Sequence, residues 1–289
     1  MVRWARRPEA LRGPALVAAF RGWNDAGEAA SIALATLVRG LGAELAATLD
    51  GEEFYDYQTT RPAISIVSGR LRGIEWPDVE VWVARPEGAV RDLVLVGGAE
   101  PSLRWRAFCS VLLDLARDLD AALLLTMGAL LADVPHTRPV RVGGMAAPPE
   151  LIAGLGLRGP TYEGPTGIVG VLHAAAAQRS LPAASIWASV PHYLGTLRSP
   201  PCALALVRVA EAITQVAVDA SELERASADY ERQVDAVVER DRALREVVAG
   251  LERRADSAEE PQAPETLPSG EALAQEIERY LRQRGEPGA

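Results

Sequence analysis

The stretch Leu123–Val140, LLLTMGALLADVPHTRPV, decides how this chain folds. It begins as an apolar run that breaks at Gly128. It ends in a short loop that collects Asp133, Pro135, His136, Thr137 and Arg138. Apolar runs of this kind in a mixed chain are interior parallel strands, which bury both faces. Polar residues just past such a strand fall where open α/β sheets place their ligand crevices.

Outward from that stretch the same order recurs: strand, polar or Gly-rich loop, helix. Residues 14–20 (PALVAAF) predict a buried first strand, followed by the loop RGWNDAG. A helix from about Glu28 to Arg39 carries Ile32, Leu34, Leu37 and Val38, with Asn24 and Asp25 as capping types just before it. A second strand covers 44–49, and 51–62 (GEEFYDYQTTRP) is a loop. Four extended segments follow at Ala63–Val67, Arg70–Trp76, Val79–Ala84 and Arg91–Val96. Turn chemistry at Ser68-Gly69, Pro77-Asp78 and Pro86–Gly88 separates them, and some of them pair antiparallel. Gly97–Pro101 ends that run. A helix from Ser102 to Leu119 has a Trp105–Phe108–Leu112–Leu115–Leu119 stripe. Strands at 121–127, Val140–Met145 and Ala184–Val190 alternate with a short helix at Pro148-Pro149, a Gly-rich loop Gly154–Gly167, a helix Ile168–Arg179 and a helix from Pro200 past Ile213. This alternation predicts one α/β domain over 1–220, a three-layer sandwich around a mixed, mainly parallel sheet.

After residue 220 the character changes. Residues 221–254 predict a long projecting helix, or a helical hairpin, with Leu223, Tyr230, Val234, Val237, Leu244, Val248 and Leu251 in its stripe and Asp241 interrupting it. Residues 255–269 are acidic and Pro-rich, a flexible linker, and Ser269 caps a last short helix and tail over 270–289.

Composition narrows the function. All thirty basic residues are Arg, so a Walker-type phosphate loop, a Schiff base and a lysine general base are excluded. Net charge is −9, and residues 221–289 carry 17 acidic against 10 basic side chains. Nothing resembles a basic footprint for nucleic acid; the Arg3, Arg6, Arg7 and Arg12 cluster belongs to a flexible end. Cys109 and Cys202 sit in apolar helical contexts, as small buried residues, which fits a reducing cytoplasm. With His136, His173 and His192 as the only histidines, no metal site is expected, and no cofactor either. No targeting segment is recognisable, and the longest largely apolar run falls short of the roughly 20 residues that span a bilayer.

Four loops fall at the expected C-terminal ends of strands, and together they would line one crevice. Asn24 and Asp25 would bind a ligand hydroxyl or cap the next helix. Gly97 and Gly98 would let a backbone approach a ligand or form a tight turn. Thr166 and Gly167, in the Gly164–Gly167 turn, would offer free N–H groups at a helix start or simply turn the chain. Asp133, His136 and Arg138 form the most polar local group, a general acid–base set or a structured loop. His192 and Tyr193 would meet them from the next strand or pack beneath the loop. No nucleophile elbow and no His–Glu metal helix occurs, so no catalytic residue is assigned.

Four of these motifs, in this order, carry a resemblance: GWNDAGEAAS (22–31), DVPHTRP (133–139), EGPTGIVGVL (163–172) and SVPHYL (189–194). The chain resembles the proteasome assembly chaperone 2 family, in its actinobacterial branch, over about residues 10–250. The resemblance implies a fold similar to nucleoside phosphorylases, a helical C-terminal part, and self-association, with a trimer as one form. Eukaryotic members help assemble the proteasome α ring, and archaeal relatives dock by a C-terminal hydrophobic-Tyr-any tail. The sequence ends Gly285–Ala289 without that pattern, so docking by that mode is not expected. Some bacterial members carry an ATP-grasp label, which the absence of Lys disfavours, since Arg offers a different geometry. Two functions are therefore expected in competition. One is an oligomeric scaffold or assembly chaperone acting on protein complex subunits. The other is a protein or enzyme that binds a nucleoside or phosphometabolite in the strand-end crevice.

Overall fold

The computed structural model describes residues 2–160 and 162–257. In chain order the elements are β1 (Val2–Trp4), β2 (Ala15–Arg21), α1 (Ala29–Gly40), β3 (Glu44–Leu49), β4 (Ala63–Val67), β5 (Arg70–Glu75), β6 (Val79–Ala84), β7 (Leu93–Ala99), α2 (Trp105–Asp118), β8 (Leu123–Ala132), β9 (Val142–Ala147), α3 (Ile168–Gln178), β10 (Ala183–Pro191), α4 (Pro200–Thr214), α5 (Ser221–Arg240) and α6 (Arg242–Asp256).

Eight strands form one sheet in the order β1-β3-β6-β7-β2-β8-β10-β9. The four central strands, β7, β2, β8 and β10, are parallel, and every outer pairing is antiparallel. The centre is parallel because its strands are apolar throughout and are covered on both faces. On one face lie α1 and α4, with Ala33, Leu37, Leu206 and Ala210 in the core. On the other lie α2 and α3, with Phe108, Leu112, Leu172 and Ala176. The three-layer α/β sandwich around a mixed sheet is therefore present.

Four local expectations change. β8 does not break at Gly128 but runs on to Ala132. Gly128 faces Trp187 of β10 in the ladder, and a Cβ there would meet the indole at 2.6 Å. The glycine makes room for a neighbour rather than ending a strand. Gly97 and Gly98 are likewise strand residues of β7. The close approaches they permit are to the Leu34 side chain and to the backbone of Asp78 and Val79. The Arg-rich start is not a loose end over the described residues. β1 pairs antiparallel with β3, Arg3 bonds Asp78, and Arg12 grips the buried Asp92 carboxylate at 2.6 Å.

The fourth change is at the C-terminal part. Of the two forms expected over 221–254, the long single helix is absent, and two helices, α5 and α6, meet at Asp241. The extended Asp241 caps α6, its Oδ1 accepting from the N–H groups of Ala243 and Leu244. α6 continues to Asp256, into the stretch expected as linker; the rest of that linker and the helix expected within 270–289 lie outside the described residues.

Candidate functional site

Because β7, β2, β8 and β10 are parallel neighbours, their C-terminal ends share one edge of the sheet. The sequence-selected residues fall along that edge in two groups, with Gly97 and Gly98 apart from both inside β7.

The first group surrounds the start of α3. Asn24 is fully buried and stitches β2 to β8, its carbonyl accepting from Ala129 N–H at 2.8 Å. Its amide donates to Glu100 Oε1 at 2.5 Å. The same oxygen accepts from Ile168 N–H at 2.8 Å, and Glu100 Oε2 accepts from Trp23 N–H at 3.1 Å. A helix N-terminus favours an anion, and here the chain supplies its own. Gly167 is needed at this point, because a Cβ would meet the Asn24 side chain at 2.1 Å. Thr166 is exposed on the turn before it. Glu100 is the residue that sequence reading missed; its position between a strand end and Pro101 gave no signal.

Asp25 does cap α1. Its Oδ1 accepts from Ala30 N–H at 2.8 Å, and its Oδ2 from the Ser31 hydroxyl at 2.6 Å. Burial raises its pKa above the ordinary 3.8, against the lowering effect of the Ser31 and Ala30 bonds. The folded chain thus holds this proton to higher pH than the unfolded chain. The stabilising contribution is present at low pH and is lost as pH rises through the raised value. Asp25→Asn, which keeps an acceptor without the charge, is expected to stay within about 1 kcal/mol of the parent at neutral pH, whereas Asp25→Ala loses about 2 kcal/mol. Denaturant titrations over a pH series rising from the ordinary value of 3.8 check this. The parent should weaken relative to Asp25→Asn as pH rises through the raised value.

The second group is the Asp133–Arg138 loop with His192 and Tyr193. Tyr193 Oη accepts the backbone N–H of His136 at 2.9 Å and lies 2.6 Å from its Nδ1. His136 Nε2 lies 3.1 Å from Asp235 Oδ1 of α5. One proton arrangement satisfies all three contacts: the Tyr193 hydroxyl donates to Nδ1, and protonated Nε2 donates to Asp235. Burial raises the Tyr193 pKa and keeps the phenol protonated for that role. Thr137 donates to Glu252, Arg138 binds Glu252 and both oxygens of Asp256, and Asp133 pairs with His192 at 3.0 Å. Beneath these bonds, Tyr193 and Leu194 pack against Tyr230, Val234, Val238, Leu244 and Val248.

The most polar loop of the chain is therefore the seat of α5 and α6. Asp235, Glu252 and Asp256 were missed as its partners, since on their helices they look like ordinary solvated charges. A cavity of about 30 Å³ lies under this loop, lined by His136, Ser189, Cys202 and Tyr230 among others, and by none of the first group. That is room for about one water molecule. The thiols carry no activation: burial raises both, Cys109 to about 11. Among the described residues no cluster of His, Cys, Asp and Glu is arranged to hold a metal ion.

The edge also carries apolar side chains. Each central parallel strand carries or is followed by a large exposed one: Trp23 after β2, Leu103 in the loop after β7, Leu130 and Leu131 on β8, and Leu197 in the loop after β10. Trp23 leaves 64% of its surface in solvent.

A sequence profile of the PAC2 family matches residues 19–238, the span that holds β7, β8, β10, the end of β2 and all of α5 but its end. This chain is a member of the PAC2 family. Two solved structures are similar to this PAC2 protein over most of its length. A proteasome-assembly chaperone homologue from Mycobacterium tuberculosis is 41% identical, with 81% of this chain and 99% of that one covered and a TM-score of 0.75. A PAC2 family protein from Streptomyces avermitilis is 43% identical over the same shares, also at 0.75. An archaeal proteasome activator from Pyrococcus furiosus, 17% identical with a TM-score of 0.65, covers 82% of this chain and 98% of its own and shares the fold alone. Among curated proteins none matches closely enough to count as a relative. No helix among the described residues of this PAC2 protein is long and apolar enough to cross a membrane.

Proposed function

We propose that this PAC2 protein is a self-associating, assembly-chaperone-like scaffold of the cytoplasm that holds protein complex subunits on the C-terminal edge of its sheet. The observation that carries the reading is the set of exposed apolar side chains at that edge, Leu130 and Leu131 on β8 and Trp23, Leu103 and Leu197 in the loops that follow β2, β7 and β10. Single exposed apolar residues are ordinary, but a row of them along one edge marks a protein contact. Fully burying one such side chain is worth about 1.5–3 kcal/mol. The polar residues of the same edge support this reading too, because they are engaged with Glu100, Asp235, Glu252 and Asp256. The kinship with a proteasome-assembly chaperone homologue points the same way.

Affinity purification of the tagged full chain from native cells tests it. The parent is expected to retain subunits of a multi-subunit complex, and the variant Trp23→Asp/Leu131→Asp/Leu197→Asp to lose them at least about tenfold while keeping its melting temperature. A parent that retains no subunits overturns the reading. So does a thermal-shift screen in which a nucleoside, nucleotide or phosphate stabilises the chain by the about 2.7 kcal/mol expected at 100 times its Kd.

A further inference from the structure

One part of the molecule is attached to neither layer. β4 and β5 pair only with each other, through the two-residue turn Ser68-Gly69. Both turn residues have positive φ, the conformation of a type I′ hairpin, which Gly69 adopts without strain. Among the described residues no other helix or strand packs extensively on this ribbon. In the ladder Ile64 faces Ile74, and Ile66 faces Leu71. The register shift between Ser65 and Ile66 absorbs the extra residue Arg72, so all four apolar side chains share one face. Ile64 and Leu71 each leave 62% of their surface in water. A lone two-stranded ribbon is marginal in water, and this one shows its apolar face to solvent.

The order of residues in β5 identifies what pairs with its free edge. Arg70–Glu75 is RLRGIE. Laid antiparallel against itself about a two-fold axis, it sets Arg70 opposite the partner's Glu75 and Leu71 opposite the partner's Ile74, and symmetry repeats both pairs. Opposite charges and apolar pairs facing each other across an antiparallel ladder are the favourable cross-strand pairs. Within one chain the two charges cannot meet. Arg70 faces Val67 at the turn and Glu75 faces Ala63 at the base, roughly 17 Å apart at about 3.3 Å per residue.

We infer that the β4–β5 ribbon is a self-association arm: the free edge of β5 pairs with β5 of a second copy, giving a four-stranded sheet with one continuous apolar face. This rests on the self-association in the reading above and names its contact. The free N–H and C=O groups of an edge strand supply the main-chain bonds. A single pair of six-residue strands is smaller than the about 800 Å² per partner of a standard interface, so the association is expected to depend on concentration.

Sedimentation equilibrium of the full chain over about 1–200 μM is the test. The parent should associate with rising concentration. Arg70→Glu sets like charges opposite each other at both ends and should weaken association at least about tenfold. Arg70→Glu/Glu75→Arg restores opposite pairs and should recover the parent value to within about threefold. Ile74→Asp should abolish association with an unchanged melting temperature, since Ile74 is exposed. A parent that stays monomeric overturns both this inference and the self-association it rests on. A parent that associates while Arg70→Glu has no effect, or while the double exchange fails to restore it, overturns the ribbon alone. Subunit capture by the apolar edge is read separately.

Discussion

Replacing Glu100 by alanine is expected to lower the unfolding free energy by about 3 kcal/mol. One carboxylate satisfies three donors from two separate parts of the chain: Trp23 N–H, the Asn24 amide and Ile168 N–H. Bonds to a charged acceptor contribute about 1.5–3 kcal/mol each, but they are not additive, and Glu100 is half-buried, so water replaces part of the loss. Asn24 has no such relief, being fully buried. The alanine variant also removes the anion from the start of α3. Glu100→Gln keeps acceptor oxygen but turns an N–H₂ toward donors, and should fall about midway. A denaturant series gives the totals. A double-mutant cycle with Asn24→Ala tests the cause: a coupling of about 1 kcal/mol or more is expected, and strict additivity would show that the two side chains do not act together.

That carboxylate also marks the limit of what the sequence discloses. The central strands were legible because burial on both faces leaves a continuous apolar run, visible without knowing any neighbour. Features set by distant neighbours were not. Gly128 looked like a strand end because its reason, the Trp187 ring, lies on another strand. Gly97 and Gly98 looked like a turn because Leu34 and Asp78 are what approach them. β1 is three residues long at the sheet border, too short to show a period. Asp241 was visible as a flaw in a helical stripe, yet a flaw and a cap differ only in the backbone bend that follows. In the candidate site the residue types were legible and their roles were not. Asp133, His136 and Arg138 are conspicuous in sequence, but Asp235 and Glu252 sit about a hundred residues later on helices whose charges all look solvated. A polar loop that binds a ligand and one that seats a helix carry the same residues, and the answering charges separate them.

The second large effect is expected at Phe108, in the apolar core. Its ring is fully buried and stands edge-on to Phe20 of β2 at 5.5 Å and to Phe54 at 5.3 Å. Phe108→Ala removes the ring from a close-packed site and should cost about 3–5 kcal/mol, a large share of the stability of a single domain. Phe108→Leu, which fills most of the volume, should cost less than half of that. The loss should not be spread evenly. The Phe54 carbonyl accepts the N–H groups of Ser102 and Leu103, and the next residue, Tyr55, donates its hydroxyl to the Ala99 carbonyl at 2.7 Å. Burial raises the Tyr55 pKa and keeps that donor protonated. Phe108 therefore clamps the loop that carries the chain from β3 to the ribbon, and holds Leu103 at the apolar edge. Hydrogen exchange should quicken first at Ser102 and Leu103 and last in β2 and β8, whose amides are paired on both sides within the sheet. If exchange rises uniformly instead, Phe108 is packing of the common core and the edge is not anchored through it. If the loop loosens alone, self-association through the ribbon should weaken with it, because the loop that leads into the ribbon would no longer be fixed.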